Sequence, residues 1–209
     1  MQIQRLRLLR GVNEGHLRAT LRFDNGLVVV SATAAELKDL LENGLEDTAV
    51  VRTPSRFPHV AGMKFSYDST MRPRSTSCIG QRVRPLITLT SDETVKDTIV
   101  EDGDILSNPD RRLNLVTLNF LANGGDDYPF QELSNPNRLN LCVGRVYGKN
   151  FDYPSADIYG VPGRSSKFSY ISGEQDTLAE HISAFYLSVP EAYALKKFAN
   201  EDTRIIKLR

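Results

Sequence analysis

The sequence predicts an α+β domain in which mixed β-sheets carry flanking helices. Three observations lead there. Strand-like alternation of apolar and polar residues dominates the first 120 positions. Residues 33–44 interrupt it with helical spacing, and two further helical patterns come late, one from Asp176 and one from Pro190.

Taken in order, residues 1–31 read as strands: Leu6, Leu8 and Leu9, then Leu17, Ala19, Leu21 and Phe23, alternate with basic and polar residues. Asp24-Asn25-Gly26 is a turn by composition, and Val28 to Val30 a short buried run. Thr33 and Glu36 form a capping box in which hydroxyl and carboxylate each serve a free N–H. Leu37, Leu40 and Leu41 then fall on one helical face, with Gly44 as the C-terminal stop. Residues 46–56 make a polar loop. Val60 to Tyr67 returns to strand, where Gly62 marks a bulge or a close backbone approach. Arg82 to Leu89 and Val95 to Val100 continue a meander through the turns at Glu101-Asp102-Gly103-Asp104 and Asn108-Pro109-Asp110. Leu113, Leu115, Val116 and Leu118 form the next strand. Residues 131–172 are rich in Gly, Pro and Asn and read as an extended loop, with short strands near Leu139 to Val143. Asp176 caps a helix that buries Leu178, Ile182 and Phe185. Pro190 opens another, and Arg204 to Leu208 closes as a strand.

The chain is 40% hydrophobic and 25% charged, ordinary for a globular fold, and its formal net charge is zero. A neutral balance removes the electrostatic case for binding a nucleic-acid polymer or a membrane surface. No apolar run is long enough to span a bilayer, and no signal peptide opens the sequence. Cys78 and Cys142 could pair, but two separate buried thiols suit the sequence better. His16, His59 and His181 stand far apart and in no metal-ligand spacing. No Gly-x-Ser-x-Gly elbow, phosphate loop or dinucleotide glycine motif is present. The acids at 101–104 lack the ligand spacing of a calcium loop.

The informative stretch is Asn119-Phe120-Leu121-Ala122-Asn123-Gly124-Gly125-Asp126, followed by Asp127-Tyr128-Pro129. An aromatic offers a face for a base, glycines let backbone approach a ligand, and a carboxylate can accept from vicinal hydroxyls. Read alone, it is a tight turn beside a core phenylalanine. It resembles, however, the signature of the C-terminal domain of the 5'-nucleotidase family. Leu21 to Val28 is similar to the family's earlier Phe-x-Asn segment, and Thr33 to Gly44 to its following helix. Arg56 to Asp68 is similar to its Phe-Pro-Gln-Val-Ala-Gly strand. These ordered matches span residues 10–130, and a weaker one lies near 173–187.

The resemblance implies a single domain over residues 1–209, with its core at about 10–130 and 173–209 and a long loop or insertion at 131–172. It implies a base sandwiched between Phe23 and Phe120, a ribose held by Asp126, and a loop shaped by Asn123, Gly124 and Gly125. One base stacked on an aromatic is worth about 1–3 kcal/mol. Singly, each phenylalanine reads as a core residue; paired in two matching motifs, they read as a clamp. Arg10 is a further substrate-reaching candidate, although the family's preceding Asn-Gly-Gly is absent and an exposed surface arginine fits it better. The ligand would be a nucleotide or nucleoside-like molecule. No cofactor is expected in this segment. A divalent metal pair would sit on an N-terminal metallophosphatase domain that this segment lacks, so the segment alone would be catalytically inactive. The family places the protein in the periplasm, outside the cell or on its surface. Asp127 departs from the family's usual glycine. Together with the 131–172 stretch it favours a competing reading, a non-catalytic interaction module. A hydrolase using Asp126 and Asp127 ranks lowest, because adjacent side chains usually point apart.

Overall fold

The computed structural model describes residues 12–23, 25–50, 54–106, 108–141, 145–146, 149–150, 173–185 and 201–209. The chain divides into two compact units. One comprises Met1–Val29, Val116–Phe120 and Arg138–Lys196; the other comprises Val30–Leu115, Leu121–Asn137 and Lys197–Arg209.

The second unit is built on a five-stranded sheet and one helix. Its strands are β2 (Met63–Tyr67), β3 (Val83–Leu89), β4 (Val95–Glu101), β5 (Asp104–Ile105) and β10 (Ile205–Lys207), in the order β10-β2-β3-β4-β5. The meander expected from alternation is present: β2, β3, β4 and β5 pair antiparallel in succession, with Phe65 opposite Leu86 and Leu86 opposite Val100. The turn at 101–104 holds Asp102 at φ 47° and Gly103 at φ 91°. The closing strand joins parallel to β2, with Ile205 opposite Phe65.

Helix α2 (Ala34–Leu45) covers this sheet and begins where the sequence says it should. Thr33 Oγ1 accepts from Glu36 N–H at 3.1 Å, and Glu36 Oε2 accepts from Thr33 N–H at 2.7 Å. The next free donors find carbonyls from the 108–111 turn: Ala34 N–H reaches Arg111 O and Ala35 N–H reaches Pro109 O. Leu37, Leu41 and Leu45 pack with Phe65, Tyr67, Val83, Leu86, Ile99 and Val100 into one core.

Gly44 is not the helix stop. The helix runs on to Leu45, and the C-cap Glu46 keeps helical dihedrals. A Cβ on Gly44 would lie 2.6 Å from Pro58 Cδ, 2.6 Å from the Tyr128 hydroxyl and 3.0 Å from Arg56 O. Glycine is there because other chain segments press against the helix, a reason local sequence does not display. Gly62 lies just before β2 with φ 72°, so it makes the turn into the strand and not a bulge within it.

In the first unit, α1 (Glu14–Thr20) replaces an expected strand. Asn13 Oδ1 accepts from His16 N–H at 3.1 Å, and His16 Nδ1 accepts from Asn13 N–H at 3.3 Å. This reciprocal cap uses histidine where glutamate is usual, which hid it from pattern reading. Among the described side chains of the helix, Leu17 is the buried one. With so few apolar residues, period-two alternation was not distinctive. Helix α1 packs on α4 (Glu174–Phe185). Helix α4 starts two residues before Asp176, so that residue lies within its first turn. Its buried side chains include Gln175 and Ala179, with Leu178 and Ile182 only half-buried. The side chain of Phe185 and the helix expected from Pro190 lie outside the described residues.

Strand β1 (Leu27–Thr33) is the middle of a sheet ordered β6-β1-β7, with β6 at Arg112–Leu118 and β7 at Leu139–Asn140. Val28 and Val29 stand opposite Asn140 and Leu139. Burial along β1 is continuous from Val28, as a strand covered on both faces requires. The short strands β8 (Arg145–Val146) and β9 (Lys149–Asn150) pair antiparallel.

Candidate functional site

The segments carrying Phe23 and Phe120 are tied together in the first unit. Asn119 N–H donates to Gly26 O at 2.7 Å, and a Cβ on Gly26 would lie 3.3 Å from Asn119 Nδ2. Phe120 follows on the first turn of α3 (Asn119–Ala122), just beyond the end of strand β6 at Leu118. The Phe23 side is fastened from α4. The backbone N–H and side-chain amide of Asn25 both donate to Glu174 Oε1, at 3.2 and 3.3 Å, and Glu174 N–H returns a bond to Asn25 O. Gln175 Nε2 donates to Leu21 O at 2.6 Å.

Phe23 is 85% exposed and Phe120 48% exposed. Neither ring is sealed in the interior, so the core reading of these two residues fails. Phe130, not flagged by motif, is buried and stacks on Tyr128 at 5.9 Å between ring centroids.

Asn123, Gly124, Gly125 and Asp126 lie together in the other unit, on a tight double bend. Gly124 has φ 91°, Asp126 φ 53° and Asp127 φ 57°. Left-handed dihedrals cost a non-glycine residue about 1 kcal/mol, less for Asp than for most. Asp127 thus occupies a conformation that a glycine would accept without strain. Its carboxylate lies 3.7 Å from Arg56 Nη1, and Arg56 also pairs with Glu46 and Asp47 at 3.2 and 3.0 Å. Both Asp126 and Asp127 are exposed.

The bend is held from below. Gln131 Nε2 donates to Asn123 O at 2.6 Å, Asn43 Nδ2 donates to Asp126 O at 3.3 Å, and the Tyr128 hydroxyl donates to Arg56 O at 2.8 Å. Burial, with Asp126 nearby, pushes the Tyr128 phenol up to about 12. A phenol raised when folded supports stability below its unfolded value near 10, and that support drains as pH rises toward 12. Chemical denaturation at stepped pH is therefore expected to show a stability decline between about 10 and 12 that Tyr128→Phe removes. An unchanged decline in the variant would assign it to other groups.

None of Asn25, Asn43, Arg56 or Tyr128 was singled out as a site residue by sequence. For Asn43 a signal existed, a polar residue beside Gly44 at the end of an otherwise apolar helix. For Arg56 and Tyr128 there was none, since they meet only in the folded chain. Arg10 lies outside the described residues, as does Cys142. Cys78 is a free thiol beside Ser75 Oγ. His16 serves the α1 cap and His59 is exposed. Among the described residues no group of three or more His, Cys, Asp or Glu could hold a metal.

The family model described as "5'-nucleotidase, C-terminal domain" matches residues 10–132, more than half of the chain. The protein belongs to the 5'-nucleotidase C-terminal-domain family. The fold agrees. The crystal structure of a 5'-nucleotidase precursor from Thermus thermophilus superposes with a TM-score of 0.59 at 19% identity, over 94% of this chain and 28% of that one. Haemophilus influenzae NAD nucleotidase gives 0.47 at 19% identity, over 62% and 21%. A putative 5'-nucleotidase from Staphylococcus aureus in complex with alpha-ketoglutarate gives 0.46 at 15%, over 92% and 29%. No curated protein sequence matches the chain significantly. This 5'-nucleotidase-family chain thus spans under a third of the length of the solved structures it resembles. Among the described residues no helix is long and apolar enough to cross a membrane.

Proposed function

We propose that this chain is the substrate-recognition part of a nucleotide-processing phosphoesterase. The base stacks between Phe23 and Phe120, and Asp126 accepts hydrogen bonds from the ribose hydroxyls through a turn shaped by Asn123, Gly124 and Gly125. A metallophosphatase domain elsewhere in the protein supplies the divalent metals that activate the phosphate chemistry, outside the cytoplasm as in many relatives. The observation that supports the reading best is the solvent-facing pair of phenylalanine rings on segments joined at Gly26 and Asn119. Exposed aromatics cost hydration unless a ligand covers them, and bases of any identity can do so.

Titration of the chain with adenosine, followed by calorimetry, is expected to show weak saturable binding and no phosphate release from AMP. Phe120→Ala removes one face of the stack and is expected to weaken binding about 10- to 100-fold with thermal stability unchanged. Binding that survives this substitution intact, or is absent at millimolar adenosine, would sink the reading. The second reading, an interaction module without ligand, draws support from Asp127, which strains a turn and adds a charge next to the ribose-binding aspartate. It predicts no ligand phenotype for Phe120→Ala.

A further inference from the structure

We propose that Asn43 is a positioning residue for Asp126: its buried amide holds the aspartate's backbone in the left-handed turn from which the carboxylate meets a ribose. The inference rests on the ribose-holding role proposed for Asp126, and adds the residue that sets its geometry.

Five observations carry it. Asn43 is 1% exposed, in the last turn of α2, where Leu41 and Leu45 are apolar core members. Its Nδ2 donates to Asp126 O at 3.3 Å. Asp126 itself sits at φ 53° and ψ 30°, dihedrals that persist in a residue with a Cβ only when the surroundings impose them. The bend's other ties, Gln131 to Asn123 O, Tyr128 N–H to Gly125 O and the Tyr128 hydroxyl to Arg56 O, end on Asn123, Gly125 and Arg56, whereas the Asn43 bond reaches Asp126 directly. Finally, Asn43 Oδ1 is buried with no hydrogen-bond partner among the described residues. A half-satisfied buried amide is a liability to folding, and an apolar residue would serve the helix better. Its presence makes sense if the donor half of the amide is needed where it points. Gly44, the next residue, leaves the room the Tyr128 hydroxyl occupies, so the end of α2 acts as a seat for the whole bend.

The test separates sugar recognition from base recognition. Adenosine and adenine share the stacking face, and only adenosine presents hydroxyls to Asp126. Calorimetric titration of the full 209-residue chain with each ligand gives a preference ratio for the wild type. Asn43→Leu removes the whole amide at similar volume, and Asn43→Asp removes the donor at nearly constant shape. Both are expected to weaken adenosine about ten-fold, the cost of one displaced hydrogen-bonding group, while adenine affinity stays unchanged. Retention of the wild-type ratio in a folded variant overturns the inference. So does an equal loss for both ligands, which would report general damage, and so does failure of both variants to give a cooperative thermal transition. A wild type that binds adenine and adenosine equally would instead overturn the assignment of Asp126 to the ribose.

Discussion

Glu42→Ala is expected to cost about 3–5 kcal/mol of folding stability, the loss typical of breaking a buried charge pair from one side. Glu42 is fully buried, and its carboxylate ties helix α2 to the chain entering β3. Oε1 accepts from Val83 N–H at 2.7 Å and lies 3.6 Å from Lys38 Nζ, while Oε2 accepts from Arg82 N–H at 3.1 Å. Lys38 Nζ donates onward to Gly80 O at 2.6 Å. Truncation leaves two buried N–H groups without acceptors and an ammonium without its counter-charge. Substituting the pair together as Lys38→Met with Glu42→Leu removes the charges but still orphans the two N–H groups, so it should recover only part of the loss. Urea unfolding of the single and double variants measures both quantities. A single-variant loss below about 1 kcal/mol would falsify the view that Glu42 anchors the start of β3.

The same carboxyl gives a pH signature. Burial pushes Glu42 above the ordinary carboxylate value, against the pull of the Val83 N–H, Lys38 and the Arg82 N–H. A carboxyl raised in the folded state contributes stability that is complete below its unfolded value and is lost as pH rises through the folded one. The contribution of Glu42 therefore shrinks from mildly acid pH upward, and a Glu42→Gln background flattens that part of the profile.

Gly44→Ala is expected to cost about 2–3 kcal/mol in spite of the better helix propensity of alanine, because overpacking against fixed neighbours exceeds the gain of about 1 kcal/mol. The added methyl meets Pro58 Cδ and the Tyr128 hydroxyl at 2.6 Å, and Arg56 O at 3.0 Å. A proline ring and a main-chain carbonyl yield little, so Tyr128 must move, and its bond to Arg56 O goes with it. Tyr128 directly follows Asp126 and Asp127, which couples the substitution to the bend that carries the Asp126 carboxylate. Guanidinium unfolding should show the stability loss. Adenosine titration of the same variant should show weaker binding, whereas an alanine accommodated with both properties unchanged would mean that the helix end and the bend are not rigidly coupled.

Helix α2 shows how much was legible beforehand. Thr33 and Glu36 are three residues apart and satisfy each other, so their cap needs no partner from elsewhere. Leu37 and Leu41 recur with the helical period, and the Asp102-Gly103 turn falls between β4 and β5, as its composition says it should. The family, too, could be read from four short segments in order, and residues 10–132 carry its match. Such features depend on neighbours in the chain, so the order of residues was enough to set them.

The remainder depended on long-range packing. The α1 cap was written in an unusual pair, Asn13 and His16, and became visible only when both bonds were seen. Gly44 reads as a helix stop in the sequence because the atoms that exclude a side chain there belong to Arg56, Pro58 and Tyr128. A phenylalanine looks alike in any sequence, and only the packing of surrounding segments left Phe23 and Phe120 facing solvent while burying Phe130. Asn43 reaches across 83 positions to the Asp126 carbonyl. Which polar group meets which across such separations is set by how helices and strands pack, and no local pattern encodes it.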